Sequence, residues 1–278
     1  GTQLVIGTPG RIKDLFVKEA VLRLEKTRIL VVDEADMTLE FGFLEDVDAI
    51  AGKMGDHLQM MSFSATIPQE LQFFLRKYMK DPRVIQIDHE KSLPAITHVL
   101  IPCKHKTYEE KLLELLPLFQ PYVCLIFANT RKEAASAAQL LRDHGYGIVE
   151  LHGDLTSRER VKAMKELREQ KKSYVVATDL AARGIDIEGI THVVSLGFPK
   201  ELNFYIHRSG RTARAGRDGI CYALYQKQDQ HAVELLTKKG VQFIQKGIKN
   251  NAWQEIRVNT KKPNEKEILI ETQIKKVA

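Results

Sequence analysis

Three carboxylates, Asp33, Glu34 and Asp36, follow directly on the apolar run Ile29-Leu30-Val31-Val32. A run this rich in β-branched residues reads as a buried strand, apolar on both faces. In open α/β sheets, ligands bind just past the carboxyl ends of the strands. A carboxylate in that place can hold a hard cation such as Mg²⁺, and its neighbour can orient or deprotonate a water. Nucleoside triphosphate hydrolysis needs both. A second cluster is basic: Arg208, Arg211 and Arg214 recur every third residue, which on a helix puts them on one face. Ser209, Gly210 and Ala213 keep that face small, as close approach to a ligand requires; a solvated basic patch is the competing reading. A third candidate is Thr8-Pro9-Gly10-Arg11. Thr8 suits an N-cap and Pro9 the first helical turn, so free amides, a hydroxyl and Arg11 would meet a phosphate. A plain well-capped helix explains the same residues.

The elements that must position these groups alternate between strand and helix. Leu4 to Gly7 reads as a short strand, and Met60 to Ser64 as another that ends in Ser64-Ala65-Thr66. Thr66 and Gln69 have capping-box spacing ahead of a helix through Leu71, Phe74 and Leu75. Val84 to Ile87 is expected to close this first sheet. The polar stretch from Asp88 to Ala95, with Pro94, is the expected linker. Further strands are expected at Val123–Phe127, Gly147–Leu151, Tyr174–Asp179 and His192–Leu196. Thr130 with Glu133 and Thr156 with Glu159 mark helix starts, and Gly145 a helix stop. Repeated βα alternation argues a mainly parallel sheet with helices on both faces. The expected division is 1–88, a linker 89–96, a second domain 97–256 and a tail 257–278. Trp253, the only tryptophan, reads as a packing residue before a platform for a base.

Composition excludes several classes. The chain has 278 residues, 44% hydrophobic and 28% charged, which is globular usage with length enough for two cores. No run of about 18 apolar residues occurs, so no membrane span is expected, and no signal-peptide pattern is present. Cys103, Cys124 and Cys221 lie far apart without partners at metal-ligand spacing, which fits a reducing, cytoplasmic setting. A net charge of +6 leans toward a polyanionic partner.

Seven stretches, in order, carry a resemblance. They are Thr8-Pro9-Gly10-Arg11, Asp33-Glu34-Ala35-Asp36, Ser64-Ala65-Thr66, Phe127 with Thr130, His152-Gly153, the stretch from Ala177 to Asp186, and that from His207 to Arg217. This order resembles DEAD-box ATP-dependent RNA helicases of bacterial type, over nearly the whole chain. The resemblance implies an α/β fold of two RecA-like domains that close around ATP and RNA, single-stranded or a short duplex, in a monomer. It implies that Asp33 holds Mg²⁺ through water and that Glu34 activates the attacking water. Arg211 and Arg214 would face the γ-phosphate, with Gly184 and Asp186 at the nucleotide. Asp36, Ser64 and Thr66 would couple nucleotide state to the other domain through His207 and Arg208. Thr8, Gly10, Arg11, Thr130, His152, Gly153, Thr178 and Asp179 would line the RNA backbone, so sequence specificity should be low.

Departures from the family pattern are Ser157 in place of a glutamine, Ser209 in place of an aliphatic residue, and Ala213 in place of glycine. Ala213 costs little if the backbone there is helical. The chain also contains no G-x-x-x-x-G-K-[ST] phosphate loop. The resulting expectation is a chain cut short ahead of its adenine-recognition and phosphate-loop motifs, with an incomplete first domain and little ATP hydrolysis alone. A non-enzymatic RNA- or protein-binding module is the alternative function. A double-stranded DNA translocase fits the motifs less well.

Overall fold

The computed structural model describes residues 2–55, 57–86, 96–169, 172–182, 187, 189–213 and 218–255. The chain divides into two compact units, 1–88 and 89–278.

In the first unit, α1 (Pro9–Val17) precedes β1 (Ile29–Val32), α2 (Ala35–Glu40), α3 (Leu44–Ala51), β2 (Gln59–Ser62) and α4 (Gln69–Tyr78). β1 and β2 run parallel, with Ile29 opposite Gln59 and Val32 opposite Ser62. Leu30 and Val32 point to one face, where Val47 of α3 and Leu71 of α4 close a small core. The alternate residues Ile29 and Val31 are half exposed, at 53% and 51%, so β1 is covered on one face rather than two. Leu4 to Gly7 and residues 84–86 are not strands, since no paired neighbour lies beside them among the described residues; Ile87 lies outside the description.

The second unit continues with β3 (Ile96–Pro102), α5 (Tyr108–Leu115), β4 (Val123–Ala128), α6 (Arg131–Asp143), β5 (Ile148–Leu151) and α7 (Ser157–Arg168). After these come β6 (Tyr174–Thr178), α8 (Asp179–Ala182), β7 (Ile190–Leu196), α9 (Leu202–Ser209), β8 (Gly219–Tyr225), α10 (Gln230–Lys238), β9 (Phe243–Lys249) and β10 (Ala252–Glu255). They form one sheet in the order β10-β9-β3-β8-β7-β4-β6-β5, parallel except for the β9–β10 pair. Alternation builds two cores from one strand. Cys124, Ile126 and Ala128 face the helices α5 and α6, while Val123, Leu125 and Phe127 face α7, α9 and α10.

Capping boxes at Thr130–Glu133 and Thr156–Glu159 start α6 and α7, and Gly145 follows the end of α6 at φ +79°. A further box, Thr107–Glu110, starts α5. Trp253 stacks on Tyr222 with ring centroids 5.7 Å apart, which is packing. All three cysteines are free and buried, and burial pushes the Cys103 and Cys221 thiols up to about 12. No helix among the described residues is long and apolar enough to cross a membrane.

One expectation about backbone fails. α9 ends at Ser209, and Ala213 sits at φ +57°, in the left-handed region. Arg208 and Arg211 therefore do not share a helical face, and Arg214 lies outside the described residues. A left-handed alanine costs about 1–2 kcal/mol, partly offset by the entropy that glycine would lose on folding. Ala213→Gly is therefore expected to stabilise the second unit by roughly 0.5–1 kcal/mol, read as a higher urea midpoint. A lower midpoint would show that the alanine methyl packs favourably.

Candidate functional site

The carboxylates of the first unit occupy the turn from β1 into α2. Phe63 binds both sides of this turn, its amide donating to the Val32 carbonyl and its carbonyl accepting from the Ala35 amide. Glu34 takes the left-handed conformation, φ 48° and ψ 50°, at the N-cap of α2. Such a residue costs of order 1–3 kcal/mol and persists only where its surroundings enforce it. Asp33 and Glu34 are exposed, and the Asp33 Oδ1 accepts from the Glu34 amide at 2.9 Å.

Asp36 is the opposite case. It is buried, and its Oδ2 accepts from the Thr66 amide at 3.0 Å and the Thr66 hydroxyl at 2.9 Å. Its Oδ1 accepts from the Met37 amide at 3.0 Å, while its own amide donates to Ser64 Oγ at 3.0 Å. Ser64 Oγ in turn donates to the Thr66 carbonyl at 2.6 Å. Burial pushes the Asp36 carboxyl up, but the hydrogen bonds from Thr66, Ser64 and Met37 outweigh it and hold the pKa below the ordinary value. This contact explains a second miss. Thr66 does not cap α4, whose N-cap is Pro68 without a side-chain bond, because its hydroxyl is committed to Asp36.

At the head of α1, Thr8 occupies the N-cap position and Pro9 the first turn, but the Thr8 hydroxyl makes no cap bond. Arg11 pairs with Glu19 on the surface. Gly10 lies beside α3, where an added Cβ would sit 3.4 Å from Asp46 Oδ2.

In the second unit the candidates lie at the carboxyl edge of the parallel sheet. Arg208 is fully buried, and each of its three guanidinium nitrogens donates at least one hydrogen bond. Nε and Nη2 donate to the two oxygens of Asp179, each at 2.7 Å, and Nη2 also to Asn129 Oδ1 at 2.7 Å. Nη1 donates to Ser195 Oγ at 2.6 Å, and the group lies 5.3 Å from the centre of the Phe127 ring. Asn129 and Ser195 are additions that motif reading missed. Ser195 had a signal, a polar residue inside the otherwise apolar run Val193–Leu196. Asn129 had one only in its place between a strand and a helix cap.

Thr130 caps α6 through its hydroxyl, which accepts from the Glu133 amide at 3.1 Å. His152 Nε2 lies 2.7 Å from Glu150 Oε1, and Arg131 pairs with Asp154 at 2.8 Å. Gly153 leaves room for Arg131, whose guanidinium atoms lie 3.2 Å from where a Cβ would stand. Thr178 is buried at the end of β6, one residue before Asp179. His207 is partly buried, its ring edge-on to Phe204 at 6.5 Å, and Arg211 is partly exposed just past α9. Gly184 and Asp186 fall outside the described residues, as Arg214 does.

Comparison with known proteins identifies the family. Residues 1–74 match the DEAD/DEAH box helicase family, and residues 108–216 match the helicase conserved C-terminal domain. Together these cover more than half of the chain, which belongs to the DEAD-box helicase family and folds as two RecA-like α/β domains. The chain is 43% identical over 280 residues to DEAD-box ATP-dependent RNA helicase CshB of Bacillus subtilis, covering 98% of this chain and 64% of that protein. It is 34% identical to ATP-dependent RNA helicase CshA of Listeria monocytogenes, covering 95% of this chain and 51% of that protein. The chain thus spans less than two thirds of the length of these relatives. Among solved structures, S. cerevisiae Dbp5 bound to RNA and ADP BeF3 aligns with a TM-score of 0.79 at 27% identity, over 88% of this chain and 66% of that one. Mss116p bound to ssRNA and AMP-PNP aligns with a TM-score of 0.72 at 27% identity, over 88% and 53%.

The family match corrects the expectation of an N-terminal truncation before the adenine-recognition and phosphate-loop motifs that leaves the first domain incomplete. The DEAD domain is matched from residue 1 to residue 74 and is present. A missing phosphate-loop run is the absence of one motif. The domain is defined here by its strand, carboxylate turn and flanking helices, which form a core of their own.

Two outcomes follow from the buried charges. Asp36, with its native pKa depressed below 3.8, contributes stability that is present above pH 3.8 and lost as pH falls through the native value. Asp36→Asn should therefore flatten the acid limb of the first unit's unfolding profile below about pH 4, as followed by circular dichroism. An unchanged acid limb would mean that the contact contributes nothing. Arg208→Ala leaves Asp179 unpaired and should cost the second unit about 3–5 kcal/mol in denaturant unfolding. Arg208→Lys should recover little, because an ammonium cannot reproduce the paired fork to Asp179. Full recovery by lysine would refute the geometric account.

Proposed function

We propose that the chain serves as an ATP-dependent RNA helicase, coupling ATP turnover to local remodelling of single-stranded RNA or short duplexes. The observation that carries this reading is the end of β1, where Asp33 and Glu34 stand exposed while Asp36 is fixed behind them. The CshB and CshA relatives, named ATP-dependent RNA helicases, support it, as do neighbours bound to RNA with ADP BeF3 or to ssRNA with AMP-PNP.

The residues fit Mg²⁺ carried in with ATP. Asp33 keeps Oδ2 free of hydrogen bonds among the described residues. No group of three or more metal-binding side chains occurs among those residues, and an ion held by one carboxylate and phosphates needs none. When bound, Mg²⁺ neutralises charge on the phosphates. Glu34 orients the attacking water and accepts its proton, and the enforced turn keeps its carboxylate beyond the strand end. Arg211 and Arg214 meet charge developing on the γ-phosphate, while Gly184 and Asp186 contact the nucleotide, Asp186 at its ribose. Ser64 and Thr66 position Asp36, and Arg208 positions the edge that carries Asp179 and Asn129. Thr8, Gly10 and Arg11 in one unit, with Thr130, His152, Gly153 and Thr178 in the other, hold phosphates and sugars. Contacts of that kind give low sequence specificity and a preference for RNA through the 2′-hydroxyl. The three buried free thiols suit a reducing cytoplasm.

ATP turnover with and without single-stranded RNA tests the reading. It should be compared between this chain and a version whose first domain carries a G-x-x-x-x-G-K-T phosphate loop, since this sequence contains none to supply a lysine and an amide cradle. RNA-stimulated turnover is expected in the second, and Glu34→Gln should lower it about 10²–10⁴-fold. If both chains bind RNA and neither turns over ATP, a non-enzymatic RNA-binding module replaces this reading.

A further inference from the structure

We propose that a basic cavity on the second unit takes phosphates of single-stranded RNA running on from the Thr130, His152 and Thr178 edge, so that the bound strand is longer than those residues alone would hold. The proposal rests on the RNA reading above. The cavity, of about 290 Å³, lies between residues 103–107 after β3 and residues 226–228 after β8, and is lined by Lys104, His105, Lys106 and Lys227 among others. Of the three lysines, Lys106 pairs with Glu114, whereas Lys104 and Lys227 pair with no carboxylate among the described residues. The nearby carboxylates are already engaged. Glu110 accepts from the Thr107 amide at 2.8 Å, and Asp229 from the Gln226 amide at 2.8 Å and the Tyr108 hydroxyl at 2.6 Å. The capping box also closes the amides at the head of α5, so the attraction for an anion comes from the lysines.

The frame that carries them is fixed. Gln226 Nε2 donates to the Lys106 carbonyl at 3.1 Å, which ties the two loops together. Tyr108, held by Asp229, packs on Gly197, where an added Cβ would stand 3.0 Å from the ring. Lys104 itself takes a left-handed backbone, φ 56°.

Placement selects the ligand. β3, β8, β7 and β4 are consecutive parallel neighbours, so the cavity opens on the same carboxyl edge that carries Thr130. Three strand steps of roughly 4.8 Å separate β3 from β4, about 14 Å in all. A strand at ~3.4 Å per nucleotide crosses that gap in about four nucleotides. A linear polyanion can reach both places at once; a free phosphate has no reason to join them.

The test is fluorescence anisotropy on this chain with single-stranded RNAs of about six and about twelve nucleotides, over a series of salt concentrations. Wild type should bind the longer strand more tightly. K104Q/K227Q, which alters two exposed side chains, should lose that gain while keeping affinity for the shorter strand. Its salt slope on the longer strand should fall by roughly 1.4, two phosphates at ~0.7 each. The proposal is overturned if the variant keeps the length gain, or if it weakens both strands equally. It is overturned too if inorganic phosphate binds the cavity while strand length has no effect. Wild type binding neither strand would remove the RNA reading itself, and this inference with it.

Discussion

A buried guanidinium needs a hydrogen-bonding partner at each nitrogen, and Arg208 imposes that condition on the second unit. Removing a charge of this size from water costs several kcal/mol even after relaxation. The cost is offset only because Asp179, Ser195 and Asn129 converge on it while Phe127 lies against its face. Those residues come from the ends of β6, β7 and β4, three adjacent strands. Their register at the carboxyl edge is therefore set by one cation on α9. Ser195 Oγ also donates to the Gly197 carbonyl at 2.7 Å, which carries the constraint to the turn after β7.

The first unit solves the same problem with the opposite sign. Asp36 is an anion tied to the end of β2 by Thr66 and Ser64, and it begins the helix that β1 leads into. With Asp36 anchored, and Phe63 bonded on both sides of the turn, Glu34 has little choice but its left-handed conformation. The strain at Glu34 and the burial of Asp36 are consequences of one tight turn. What the turn achieves is geometric: it separates one carboxylate for structure from two that remain in solvent.

Much of this was legible in the sequence, and the failures share a cause. Strand–helix alternation, the capping boxes at Thr130 and Thr156, and the stop at Gly145 are local patterns, and local patterns determine local structure. Thr66 carried the same capping pattern and did something else, because Asp36, thirty residues away in sequence, bonds its hydroxyl. The arginine triplet had helical spacing, but no residue in the triplet encodes where α9 stops. Ala213 gave the wrong hint there, being a good helix former found at a left-handed position. The run at β1 looked buried on both faces because composition cannot say how many neighbours a strand has. Ile29 and Val31 are exposed, and among the described residues only the face carrying Leu30 and Val32 is closed.

Motif order identifies which residues belong together; it does not say which of them touch a ligand. Asp33 and Asp36 are three positions apart in one motif, yet one is in solvent and the other is hydrogen-bonded on both oxygens. Asp179 was placed with the RNA by its position in a motif, but both its oxygens accept from Arg208. Any contact it makes with a nucleic acid must compete with a bidentate, charge-assisted pair, among the strongest hydrogen-bonded arrangements a protein offers. Its neighbour Thr178 is buried, and His152 already lies against Glu150. Strand ends of this kind meet a nucleic acid through backbone amides and short polar side chains. A polyanion bound by such groups is held by its phosphates, wherever its bases fall, and that is the physical basis for recognition without sequence preference.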